Sequence, residues 1–263
     1  MRSITVSSGK GGVGKTSFVI NLAITLAEFN NRVLIFDADI SLANIDVMLG
    51  ISPAYDIRYV LNGEKTLKEI IYKTQYRFDF IPGSSGVIEL TRLNSEQKLL
   101  LKAQMEEAFK DYDYLIFDNA AGISDNVLFF NVIAGERIVL CTTEPTSLAD
   151  AYALIKVCFK KHRIKDFYLV VNMIRDKSEG KKVYQQLIYV LEKFLPEVKL
   201  SYLGGIEVDE CVRKAIKVQK PYTEICPDSK AVRALKEIAL KLEKYKTDQK
   251  VSMKDFLERV VKY

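Results

Sequence analysis

The run Gly9-Lys10-Gly11-Gly12-Val13-Gly14-Lys15-Thr16 satisfies the spacing G-x-x-x-x-G-K-[ST] and constrains the chain more than any other feature. It follows a β-branched run, Ile4 to Ser7, and opens a stretch of helical periodicity, Lys15 to Phe29. Strand, glycine loop and helix in that order are the context in which such a loop cradles phosphate. Glycines let backbone amides close on phosphate oxygens, and the helix N-terminus adds unpaired N–H groups and its dipole. Lys15 is then expected on the β- and γ-phosphates and the Thr16 hydroxyl on Mg²⁺, with Gly9, Lys10, Gly11, Gly12, Val13, Gly14 and Ser17 around the nucleotide. At ordinary residue frequencies a random chain of this length shows the pattern roughly 1% of the time.

Gly9, Gly11 and Gly14 also fit G-x-G-x-x-G, and Asp37 ends the next strand about where a dinucleotide fold keeps its ribose-binding acid. That rival has no use for Lys15 followed by a hydroxyl, or for a second lysine, Lys10, inside the loop. Phosphoryl transfer needs cationic charge there.

Apolar runs recur at Ile4 to Ser7, Arg32 to Asp37, Phe78 to Ile81, Tyr114 to Asp118, Arg137 to Thr142, Phe167 to Asn172 and Lys199 to Leu203. They read as buried strands. Between most of them lie helical stretches such as Ser95 to Lys110, Ser147 to His162 and Gly180 to Phe194. The alternation implies an α/β fold with a doubly wound, mostly parallel sheet flanked by helices. Within 263 residues there is no repeat and no low-complexity segment, so one ATPase domain, 1–245, is expected, then a linker, 246–252, and a C-terminal helix, 253–263. Four scattered cysteines, Cys141, Cys158, Cys211 and Cys226, form no CxxC pair and are expected as free thiols in a cytoplasmic protein. Basic residues exceed acidic by five, which permits an anionic partner without requiring one.

Tyr114 to Asp118 is an apolar strand ending in a carboxylate, the arrangement that holds Mg²⁺ at the carboxyl end of a parallel strand. Asp37-Ala38-Asp39 closes the second strand, and Asp39 is the candidate for orienting the attacking water, with a turn-capping role as its alternative. Thr16, Asp39 and Asp118 form the expected metal side, and Lys10, Lys15 and Asp39 the catalytic set. Gly122 is placed to offer its amide to the γ-phosphate. Asn172 ends a strand on the same sheet edge, where its amide can read adenine as donor and acceptor together, although a turn residue is the commoner use. Ile206 and Glu207 complete the expected nucleotide contacts.

With Lys10 and Lys15 in one loop, the sequence resembles the deviant Walker A motif of the MinD/ParA ATPases, which close as dimers over two ATP molecules. Asp37 to Asp39 with Asn44 and Asp46, the Pro82 to Gly86 turn, Asp118 to Gly122, and Glu144 to Ser147 with Asp150 to Tyr152 look like the FlhG/FleN branch. So do Val212 to Ala215 and Phe256 to Val260. That branch sets the number and placement of bacterial flagella. The resemblance implies that Lys10 reaches the partner's nucleotide, that Asp39 is the hydrolytic switch residue, and that Glu144 makes contact across the dimer. Some members carry a motif ahead of the loop that stimulates the GTPase FlhF. Only eight residues precede Gly9 here, so stimulation by that route is not expected. Binding FlhF by another surface, C-ring switch proteins or a FleQ-like transcription activator is what the resemblance leaves.

At the C-terminus, Met253, Phe256, Leu257, Val260 and Val261 fall on one helical face flanked by Lys254, Arg259 and Lys262. Such a helix can lie in a membrane interface, and the resemblance implies that it does so with ATP bound, making the protein reversibly peripheral on the inner face of the cell membrane. Packing on the domain's own core is the alternative. The leading expectation is therefore a dimerising regulatory ATPase. A MinD-like division-site regulator, a ParA-like DNA-partition ATPase with salt-sensitive DNA binding, and a dinucleotide oxidoreductase are its rivals, and direct DNA binding is not expected.

Overall fold

Strands such as Arg2–Ser8, Val33–Ala38 and Glu136–Cys141, buried at nearly every residue, need cover on both faces, and the fold supplies it. The computed structural model describes residues 1–39, 45–84, 94–245 and 253–263. Eight strands form one sheet: β1 (Arg2–Ser8), β2 (Val33–Ala38), β3 (Tyr72–Lys73), β4 (Phe78–Ile81), β5 (Tyr114–Ala121), β6 (Glu136–Cys141), β7 (Asp166–Ile174) and β8 (Lys199–Glu207). Their order is β3-β4-β2-β5-β1-β6-β7-β8. Every pairing is parallel except β3 with β4. The seven expected strands all lie here. β3, two residues long, was too short to leave a periodicity.

One face of the sheet is covered by α1 (Lys15–Glu28), α2 (Ile45–Leu49), α8 (Glu210–Lys217), α9 (Tyr222–Ile225) and α10 (Lys230–Lys244), whose apolar residues form a single cluster with β1, β2 and β5. The other face is covered by α3 (Ile57–Leu61), α4 (Ser95–Phe109) and α5 (Asp125–Ile133) at one end, and by α6 (Pro145–His162) and α7 (Lys177–Phe194) at the other. Local signals start these helices. Asn94 and Gln97 make a capping box for α4, Asp176 accepts from Ser178 N and Glu179 N at α7, and Pro145 opens α6.

The last helix, α11 (Met253–Lys262), is docked on α4 and α5. Phe256, Leu257 and Val260 are at most 2% exposed, with the Phe256 ring 6.1 Å from Phe117 and 6.5 Å from Phe109. Burying each such side chain contributes about 1.5–3 kcal/mol. The face expected to meet a membrane is thus spent on the domain in this state. The segment expected as a linker, 246–252, lies outside the described residues, as do Asn44 and Gly86.

The cysteines require a correction. Cys211, on α8, and Cys226, just past α9, form a disulfide across a sequence separation of 15. The expectation of scattered free thiols fails because α8 and α9 turn back on one another, a tertiary contact that spacing does not reveal. Cys141 and Cys158 are free and buried, with burial pushing each thiol up to about 12.

Candidate nucleotide-binding site

The carboxyl ends of β1, β2, β5, β6 and β7 converge on the glycine loop. Ser8 closes β1, and its hydroxyl donates to Lys10 O at 2.8 Å, starting the turn. Gly9 is wedged against α6: a Cβ there would lie 2.3 Å from Asp150 O, backbone that cannot swing aside. Gly14 sits at φ 89° as the N-cap of α1, with no side chain capping the first turn. The unpaired N–H groups of that turn therefore face the loop's interior. Asn172 steadies it, its Nδ2 donating to Val13 O at 2.8 Å.

Lys15, the first residue of α1, is 9% exposed. Burial lowers its pKa, and the charges of Asp118 and Asp39 pull it back up. Asp118 is fully buried at the end of the apolar stretch of β5, and neither carboxylate oxygen meets a partner in hydrogen-bond geometry. Burial pushes its carboxyl up to about 6, opposed by the nearby Thr16 hydroxyl and the Lys15 charge and assisted by Asp39. A buried carboxylate with two orphaned oxygens beside a threonine hydroxyl is a donor set suited to Mg²⁺, a hard cation that takes oxygen ligands. The glycine cradle, the free helix N-terminus and Lys15 fit the phosphates that such an ion accompanies.

Asp37 is 1% exposed and its Oδ1 accepts from Asp39 N at 3.2 Å, so the acid that a dinucleotide fold would aim at a ribose is turned into its own chain. Asp39 is half-buried, and its charge acts on both Lys15 and Asp118.

Other expected residues stand differently. The Gly122 amide donates to Ser8 O at 2.9 Å, extending the β1–β5 pairing, so in this state it is not turned to the loop. The Asn172 amide is committed to Val13 O rather than left open for a base. Ile206 is 4% exposed in the core under α1 and α10, leaving only its backbone to meet a nucleotide, and Glu207 lies 3.7 Å from Lys230. Asn172 and Ile206 are register partners, which does place all three residues on one sheet edge. Lys10 turns outward: its Nζ lies 2.5 Å from Glu144 Oε2 and 3.3 Å from Thr146 Oγ1 of its own chain. The contact assigned to Glu144 across a dimer is here made within one protomer.

Sequence reading passed over a polar floor beneath the loop. Asn119 Nδ2 donates to Ser7 Oγ at 3.1 Å and Val127 O at 3.1 Å, and Asn131 Nδ2 donates to the same two groups at 2.9 and 2.8 Å. Its signal was the hydroxyls Thr5 and Ser7, alternating with the apolar Ile4 and Val6.

The family model described as ParA, an NUBPL iron-transfer P-loop NTPase, matches residues 1–243. The antiactivator FleN of Pseudomonas aeruginosa is 36% identical over 262 residues, covering 99% of this chain and 93% of its own length. The chain belongs to the MinD/ParA family. Another MinD/ParA relative, the flagellum site-determining protein YlxH of Helicobacter pylori, is 32% identical over 265 residues, covering 99% of this chain and 90% of its own. The septum site-determining protein MinD of Pyrococcus horikoshii, solved with Mg-ADP, shares the fold at a TM-score of 0.74 and 23% identity, covering 92% of this chain and 96% of that one. As a MinD/ParA member the chain is a P-loop ATPase of the flagellar-regulator branch.

Proposed function

We propose that this ATPase closes as a homodimer over two ATP molecules, acts on flagellar number or placement in that state, and reopens after hydrolysis to ADP and phosphate. The observation that carries the dimer is Lys10. Its side chain is 42% exposed and reaches away from its own loop to Glu144, whereas Asp118 feels Lys15 and Asp39. A loop lysine held at the surface finds phosphate to neutralise when a second copy docks face to face. Lys15 grips the β- and γ-phosphates, Thr16 and Asp118 hold the metal, and Asp39 aligns the attacking water. Mg²⁺ bound there neutralises charge that develops on the phosphates.

The flagellar reading rests on the likeness to FleN and YlxH along nearly the whole chain. The partners it points to are FlhF, C-ring switch proteins or a FleQ-like activator. In the same reading, residues 1–245 are the ATPase domain and Met253 to Tyr263 the membrane-contacting tail. The apolar face of that tail is buried here. Binding to the inner face of the cell membrane therefore requires α11 to leave α4 and α5, and two released helices in a dimer gain through effective concentration.

The test is the specific ATPase rate as a function of protein concentration for wild type and Lys10→Ala. A rate that climbs with concentration in wild type and stays flat in Lys10→Ala supports the dimer; a flat wild-type rate overturns it. Duplex DNA retention that falls steeply with salt would instead favour the partition-type reading.

A further inference from the structure

The nucleotide site occupies the carboxyl ends of the parallel strands; the amino ends gather a separate group of cations. Two clefts open there, of about 270 and 370 Å³, and both are lined by Arg137, Asp166 and Arg259. Arg137, the second residue of β6, is 9% exposed. Its Nε donates to Asn131 O at 2.7 Å, its Nη1 to Gly135 O at 3.0 Å and its Nη2 to Ala134 O. Arg259, from α11, donates to the same Ala134 carbonyl at 2.9 Å. Two guanidiniums thus meet on one carbonyl oxygen. Burial, and then the Arg259 charge, lower the Arg137 pKa to about 10.

The charges of Asp166 and Glu136 work against that lowering without reversing it. Glu136 is taken by Arg2, with both contacts at 2.7 Å, and Glu197 by Lys165 at 2.6 Å. Asp166 is the carboxylate that lines both clefts, and against it stand Arg137 and Arg259, joined by Arg163 in one cleft and Lys199 in the other. Among the described residues neither Arg137 nor Arg259 is in an ion pair. Each guanidinium has five N–H donors; Arg137 has committed three, so two remain.

We propose that this pocket binds a phosphate group held between Arg137 and Arg259, and that it is complete only while α11 is docked. Planar guanidinium forks match phosphate oxygens in bidentate fashion, and a phosphate's charge and its three acceptor oxygens suit two cations approaching from different elements. One of the two cations belongs to the tail, so a bound phosphate pins α11 to the domain and opposes its release. The site lies at the opposite strand ends from the glycine loop and does not depend on the nucleotide reading.

The test is hydrogen exchange of the α11 amides, in Lys15→Gln so that the glycine loop does not compete, with inorganic phosphate in one arm and vesicles of phosphatidylglycerol or phosphatidylcholine in another. At about ten times the dissociation constant, opening of α11 is expected to slow about tenfold, and Arg259→Gln to abolish the effect. Slowing by inorganic phosphate assigns a soluble phosphate compound, and slowing by phosphatidylglycerol vesicles alone assigns a lipid headgroup. Unchanged exchange in both arms overturns the site, as does slowing that persists in Arg259→Gln.

Discussion

Replacing Glu144 by Gln tests whether the contact it makes is a latch within one protomer or part of an interface. The Lys10 Nζ to Glu144 Oε2 distance is 2.5 Å, but the two side chains are 42% and 60% exposed. Exposed pairs of this kind contribute about 0.2–1 kcal/mol. Freeing one Lys10 therefore shifts its availability by about 1.4- to 5-fold, and a dimer frees two, so the dimer dissociation constant with Mg-ATP should fall by about 2- to 30-fold in Glu144→Gln. Monomer stability should change by less than about 0.5 kcal/mol, as expected at a solvated surface site. Sedimentation equilibrium across a concentration series reads the constant, and raising salt should narrow the gap between variant and wild type by screening the latch. A dimer weakened by Glu144→Gln would refute the latch and put Glu144 across the interface.

Gly9→Ala places a Cβ 2.3 Å from the Asp150 carbonyl oxygen. At about 1–3 kcal/mol for such overpacking, nucleotide affinity by calorimetry should fall about 5- to 150-fold with the fold retained by circular dichroism. Phe256→Ala removes a ring that is 0% exposed; the loss of up to about 3–5 kcal/mol should undock α11, speed its amide exchange and raise vesicle binding without nucleotide. The Cys211–Cys226 bridge closes 15 residues of chain. Reductant should lower the unfolding free energy by up to about 3 kcal/mol in wild type and leave Cys211→Ser with Cys226→Ser unchanged.

The glycine loop and the parallel sheet were legible in sequence because each rests on local spacing: G-x-x-x-x-G-K-[ST] between strand and helix, and apolar runs separated by helical periodicity. The end of β8 was not. The expected apolar run stopped at Leu203, yet β8 continues to Glu207; Cβ atoms at Gly204 and Gly205 would lie 2.8 Å from Ile238 Cγ1 and 2.4 Å from Ile174 Cδ1. Glycine serves close packing at those positions, not a turn. Asp118 was singled out by the apolar run it closes, although β5 continues to Ala121, but its orphaned oxygens follow from what surrounds it in three dimensions. The same holds for Asn172, Gly122 and Glu144, whose hydrogen-bond partners lie 159, 114 and 134 residues away. The amphipathic pattern of the tail gave the helix and its apolar face, while the surface that face covers depended on α4 and α5 coming together.

The most direct measurement of the central claim is the sedimentation mass of Asp39→Ala, in which ATP should persist, with Mg-ATP, with Mg-ADP and with Mg-ATP after adding Lys10→Ala. Twice the monomer mass with Mg-ATP alone, and the monomer mass in the other two conditions, is the predicted result. Monomer mass throughout would contradict an ATP-dependent dimer closed through Lys10.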